Sequence, residues 1–169
     1  MRTDLSTGEK KQTREAERRD VICESWRNEL RVIFPSNPMA VRDALRSTLG
    51  GLQHLRLSED ECSTVELVLA EVMNNICEHA YPDDAAGMIE LHVTHDPDGL
   101  FCVALDDGLA MPDCAMPYPD PPPPIEDAAE GGFGWFLIRE LSHDLAYLRV
   151  GERNRLSFRI DVGRKVQSC

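Results

Sequence analysis

The chain has 169 residues, 42% hydrophobic and 28% charged, which suits one folded domain with a tail and excludes wholesale disorder. Thirty acidic against eighteen basic residues leave a formal net charge of −12, which repels a phosphate backbone and argues against direct nucleic-acid binding. No apolar run approaches the roughly 20 residues needed to span a bilayer, and the N-terminal stretch lacks a signal-like apolar core, so a cytoplasmic protein with no membrane segment is expected.

Residues 1–28 are rich in charge of both signs and form an extension expected to be partly disordered, with a short helix over 14–28. The pattern L-R-V-I-F from Leu30 to Phe34, stopped by Pro35, predicts a strand. Ser36 or Asn37 then supplies an N-cap ahead of Pro38, opening a helix through Ala40, Val41, Ala44 and Leu45 that Gly50 and Gly51 are expected to end. Ser58 and Glu61 have capping-box spacing. Val65, Val68, Leu69, Val72 and Ile76 recur behind them at helical spacing and predict a buried face, in a helix that stops before Pro82.

Next, M-I-E-L-H-V-T and L-F-C-V-A-L flank a D-P-D-G turn at 96–99 and predict an antiparallel hairpin running into Asp106, Asp107 and Gly108. Residues 109–131 hold a proline tract and no lysine or arginine, and predict a long loop. The segment G-G-F-G-W-F-L-I-R-E-L resumes helical periodicity, and strands around 145–150 and 156–162 complete the domain. The six cysteines form no C-x-x-C pair and read as thiols of a reducing compartment, while His92 and His95 suit a strand leading into a turn better than a metal site.

Three constellations carry chemistry. Glu71, Asn75 and His79 are spaced by four, which on an α-helix makes one slanted stripe beside the buried Val68–Val72–Ile76 row. An amide oxygen such as that of Asn75 suits Mg²⁺ held with nucleotide phosphates, and Glu71 can accept a proton one turn away; a solvated polar face is the competing reading. Asp106 ends a strand where a carboxylate can accept a hydrogen bond from the exocyclic amine of adenine, with Gly108 allowing close backbone approach; alone, the D-D-G is a turn. The G-G-F-G at 131–134 opens a helix whose first amides can meet phosphate oxygens, although glycine before a helix is also a flexible joint. P-loop and Rossmann readings fail on motif and position.

In this order, E-V-M-N-N-I-C-E-H-A-Y, D-D-G-L-A-M-P-D and G-G-F-G-W-F-L-I resemble the N, G1 and G2 boxes of the GHKL ATPase superfamily, and within it the anti-sigma-factor serine kinases. The resemblance runs from about residue 29 to 163, with a tail over 164–169. It implies an α/β two-layer sandwich of the Bergerat type, a mixed, mostly antiparallel sheet covered on one face by helices, with 109–131 as an ATP lid. It also implies that ATP and Mg²⁺ are bound, with Glu71 as general base and Asn75 as metal ligand. Asp106 and Gly108 would read adenine, Gly132, Phe133 and Gly134 would lie at the phosphates, and His79 would sit in the site without an assigned role. Ala110 stands where a second glycine is frequent, and Phe133 where a polar or basic residue is. The implied function is a serine-protein kinase and anti-sigma factor that phosphorylates a STAS-type anti-anti-sigma factor, binds a sigma factor and forms a homodimer. The alternative is a nucleotide-dependent binding module with little or no kinase activity.

Overall fold

The computed structural model describes residues 22–26, 28–82, 85–117 and 133–163. Its elements are β1 (Ile22–Trp26), β2 (Glu29–Pro35), α1 (Pro38–Leu52), α2 (Glu59–Asn75), β3 (Met88–Asp96), β4 (Gly99–Asp106), α3 (Gly134–Leu141), β5 (His143–Val150) and β6 (Arg153–Ile160). The strands form a six-stranded sheet in the order β1-β2-β3-β4-β6-β5. The expected mostly antiparallel sheet is antiparallel at each of its five pairings.

Alternation along the strands sends one set of side chains to the core. Val32 and Phe34 of β2, Leu91 of β3 and Phe158 of β6 are fully buried in one cluster with Val68, Leu69 and Val72 of α2 and Ile138 of α3. The helices therefore share one face of the sheet. Asn37 caps α1, its Oδ1 accepting from the Ala40 amide at 2.9 Å, with Pro38 in the first turn. Both halves of the Ser58–Glu61 capping box form: Glu61 Oε2 accepts from the Ser58 amide at 2.7 Å and Ser58 Oγ from the Glu61 amide at 3.3 Å.

Four expectations change. Residues 22–26 form strand β1, not part of a helix over 14–28, because the free edge of β2 offers a ladder of hydrogen bonds that outweighs weak local helix preference. The expectations for residues 1–21 and 164–169 lie outside the described residues. Helix α1 runs through Gly50 and Gly51 to Leu52. Gly51 is there for packing, since a Cβ would lie 2.9 Å from Leu30 Cδ1. After Asn75 the chain winds as a π-helix over Ile76–Ala80, so the α spacing that predicts a single stripe does not continue to His79. Finally, Pro112–Cys114 form a 3₁₀ turn at the start of the expected loop, and 118–131 lie outside the described residues.

The other face of the sheet carries an ionic cluster. Glu90 on β3 accepts from Arg31 Nε on β2 and from Arg153 on β6, both at 2.6 Å, and His92 Nε2 lies 2.6 Å from it. Burial alone would raise the Glu90 pKa, but these bonds more than offset that and bring it from 4.5 to about 2. A depressed carboxylate contributes stability above its unfolded value, near 4.5, and that contribution is lost as pH falls towards 2. Glu90→Gln is accordingly expected to lower the urea midpoint at neutral pH and to flatten its decline in acid. Equal acid sensitivity in wild type and variant would show that another group governs that limb.

Among the described residues no helix is long and apolar enough to cross a membrane. The described cysteines are free, and burial pushes the Cys102 thiol up to about 12 and the Cys77 thiol up to about 11, so neither is a ready nucleophile.

Candidate functional site

A cleft of about 460 Å³ opens between the C-terminal end of α2, the chain leaving β4, α3 and strands β5 and β6. Its walls are mostly apolar, including Val72, Ile76, Met111 and Trp135, with Asn75, His79, Asp106 and Asn154 as polar groups. A largely apolar cavity with a few convergent polar side chains is the usual form of a small-molecule site.

Asp106 is fixed at one end by sheet register. It pairs with Asn154 of β6, which pairs in turn with Arg149 of β5, so the three stand in one row across three strands. Asp106 is 5% exposed, and its Oδ1 accepts from Asn154 Nδ2 at 2.8 Å and from the Gly108 amide at 2.9 Å. Among the described residues both of these donors meet Oδ1, and none is seen at Oδ2. Burial raises the Asp106 pKa, and the bonds from Asn154 and Gly108 work against that rise. A carboxylate held this way accepts a hydrogen bond from an amine and disfavours an opposing acceptor.

The segment after Asp106 is locked from two sides. A Cβ at Gly108 would stand 2.5 Å from the Ala80 carbonyl oxygen, and the Leu109 amide donates to that oxygen at 2.9 Å. The D-D-G segment thus packs directly on the π-helical turn. Tyr81, from the end of that turn, accepts from the Asp107 amide at 3.0 Å and donates to the Met88 carbonyl at 3.3 Å. Its ring occupies the space a side chain at Gly87 would need, with Cε1 1.9 Å from the Cβ position.

At the other end, α3 begins against α2. A Cβ at Gly134 would lie 2.8 Å from Glu71 Oε2, 3.3 Å from Asn75 Oδ1 and 3.4 Å from Asn75 Nδ2. Only a glycine brings the first turn of α3 this close to both side chains. Asn75 Nδ2 is buried with no hydrogen-bond partner among the described residues, and a buried unpaired amide is costly unless a ligand completes it. Asn75 therefore fits a bound ion-and-phosphate group, offering Oδ1 to a hard cation and Nδ2 to an oxygen acceptor. Burial, and then the like charge of Glu78, raise the Glu71 pKa, which favours a proton-accepting role over a permanently ionised one.

The sequence-predicted residues therefore do not all converge in one place. Asn75, His79 and Asp106 line the cleft, while Glu71 is not among its lining residues and lies beside Gly134 at the start of α3. Gly108 shapes the loop. Phe133 precedes α3 and meets Phe136 edge-on, with ring centroids 6.5 Å apart. Gly132 lies outside the described residues.

Residues without a predicted role add the rest. Asn154 donates to the Leu109 carbonyl at 2.9 Å as well as to Asp106, and its Oδ1 accepts from Tyr147 Oη at 2.7 Å and Arg149 at 2.6 Å. Tyr147 Oη also accepts from the Met111 amide at 3.1 Å, and Arg149 donates to the Gly108 carbonyl at 3.0 Å. The partners of Asn154 are set by strand register, which leaves no local signal in the sequence.

Comparison with known proteins agrees with this geometry. The model of the family described as the histidine kinase-like ATPase domain matches residues 34–160. The serine-protein kinase RsbW of Oceanobacillus iheyensis is 28% identical over 116 residues, covering 66% of this chain and 73% of that protein. The serine-protein kinase RsbW of Bacillus cereus is 28% identical over 107 residues, 60% of this chain and 66% of that protein. Because the family match spans most of the chain and takes in α2, the Asp106 segment and α3, the chain belongs to the histidine kinase-like ATPase domain family.

Proposed function

We propose that the chain is an ATP-dependent serine-protein kinase and anti-sigma factor, acting in the cytoplasm as a homodimer. Its substrate is a STAS-type anti-anti-sigma factor, and it holds a sigma factor until that antagonist intervenes. The observation that carries this reading is the meeting of Gly134 with Glu71 and Asn75, which joins a proton acceptor, a hard-cation ligand and a helix start within one contact. The names of the RsbW relatives support the kinase class.

In this reading the adenine amine donates to Asp106 Oδ2, and the apolar walls around Val72 and Trp135 exclude water from the base. Asn75 would hold Mg²⁺, which supplies charge neutralisation at the phosphate oxygens. Glu71 orients a serine hydroxyl of the docked protein and receives its proton as the oxygen bonds to the γ-phosphorus. The bond to the β,γ-bridging oxygen breaks and ADP leaves. The work is positional and electrostatic, with no covalent enzyme intermediate.

The test is incubation of the full chain with ATP, Mg²⁺ and a candidate STAS-type protein, followed by mass measurement of the acceptor. A gain of one phosphoryl group on a serine is the expected result. Nucleotide-sensitive binding of partners without any transfer would instead favour a binding module, a reading motivated by Ala110 and by the absence of Lys and Arg from 109–131.

A further inference from the structure

The hydrogen-bond network around Asn154 does more than brace a loop. Asn154 is 4% exposed and lies on β6, distant in sequence from the Glu71 and Gly134 segments. Its carboxamide is oriented without ambiguity: Tyr147 Oη and Arg149 both donate to one end, so the other end must donate, and it meets Asp106 Oδ1 and the Leu109 carbonyl. An acceptor at Asp106 Oδ1 is therefore required, and two donors converging on that oxygen stabilise the carboxylate relative to the neutral acid. A neutral Asp106 whose proton sat on Oδ1 would face two donors, those of Asn154 and the Gly108 amide.

We infer that Asn154 is a positioning residue for base selection: held by Tyr147 and Arg149, it keeps Asp106 an ionised acceptor turned towards the cleft and so favours an amino-purine over an oxo-purine. The inference rests on the nucleotide reading of the site and adds the residue that sets its selectivity. Adenine offers an exocyclic amine as donor where guanine offers a carbonyl acceptor, so an ionised Asp106 rewards the first and repels the second. The same network reaches the Leu109 carbonyl and, through Tyr147, the Met111 amide, tying base selection to the chain that leaves the site.

Asp106 is also faced by Asp107 from its own segment, Arg149 from β5 and Tyr81 from the end of the π turn, and His79 of that turn lines the same cleft. Burial raises its pKa, Asp107 adds to the rise, and Asn154, Gly108 and Arg149 oppose it. Removing the Asn154 amide therefore moves the loss of the acceptor to higher pH. His79 lines the cleft in every variant, so the effect is read as a difference from wild type.

The experiment is calorimetric titration of the full chain with ATP and GTP in the presence of Mg²⁺ across the acid range, alongside ¹³C NMR titration of the Asp106 carboxyl. Asn154→Ala is expected to weaken ATP binding about ten- to a hundredfold at neutral pH and GTP binding much less. Its acid limb of ATP binding and its Asp106 titration both move to higher pH. Tyr147→Phe, which keeps every charge and removes one donor to Asn154, shifts both in the same direction by less, and guards against misfolding of the first variant. ATP binding and Asp106 titration that stay at the wild-type pH in both variants overturn the assignment alone. Absence of ATP binding by the wild-type chain overturns the nucleotide reading and this inference with it.

Discussion

Glu71→Gln is expected to leave ATP affinity within a few-fold of wild type while lowering phosphoryl transfer by about 10²- to 10⁴-fold. Glutamine keeps the length and shape that fit against Gly134, and an amide at the same place still packs beside Asn75. It cannot accept the serine proton. Because burial and Glu78 raise the Glu71 pKa, the ionised base forms only as pH rises through that elevated value. Wild-type transfer therefore falls on the acid side, starting at higher pH than for an ordinary glutamate, and the variant loses that limb. Single-turnover transfer and calorimetric ATP binding separate the two effects. Undiminished transfer in the variant removes Glu71 from the chemistry.

The two glycines that shape the site predict opposite failures. At Gly134 the nearest obstacle to a new Cβ is Glu71 Oε2, the far end of a flexible side chain that can swing aside. Gly134→Ala is expected to keep its folding stability and lose transfer, because the displaced carboxylate no longer faces the hydroxyl and Asn75 is crowded. At Gly108 the obstacle is the Ala80 carbonyl, 2.5 Å from the Cβ position, and backbone in a packed turn cannot yield so easily. Gly108→Ala is therefore expected to cost about 1–3 kcal/mol of stability and to weaken ATP binding by moving the segment that fixes Asp106. Urea unfolding with ATP titration distinguishes them: a stable Gly134→Ala with normal transfer, or a Gly108→Ala as stable as wild type, contradicts the packing described.

What could be read from the chain alone followed the range of the interactions. The Ser58–Glu61 box and the Val65–Val72 row are set by neighbours three or four residues apart, and both form as expected. Asp106 and Asn75 were legible because their motifs are local and ordered. Asn154 was not, since its role exists only once β4, β6 and β5 align Asp106, Asn154 and Arg149 in one row. Strand β1 was hidden for the same reason, its partner being the edge of β2. The π turn after Asn75 has no simple sequence signature, yet it carries the Ala80 carbonyl that receives Leu109. Gly50 and Gly51 misled because a glycine tolerated inside a helix looks like one that ends it.

The placement of Trp135 gives the molecule its own optical gauge. The chain has two tryptophans, and the other, Trp26, lies on β1 at the far edge of the sheet. Trp135, on α3, lines the cleft itself, so a ligand entering there alters the surroundings of its indole. Occupancy of the site is thereby written into the native emission of the unlabelled chain.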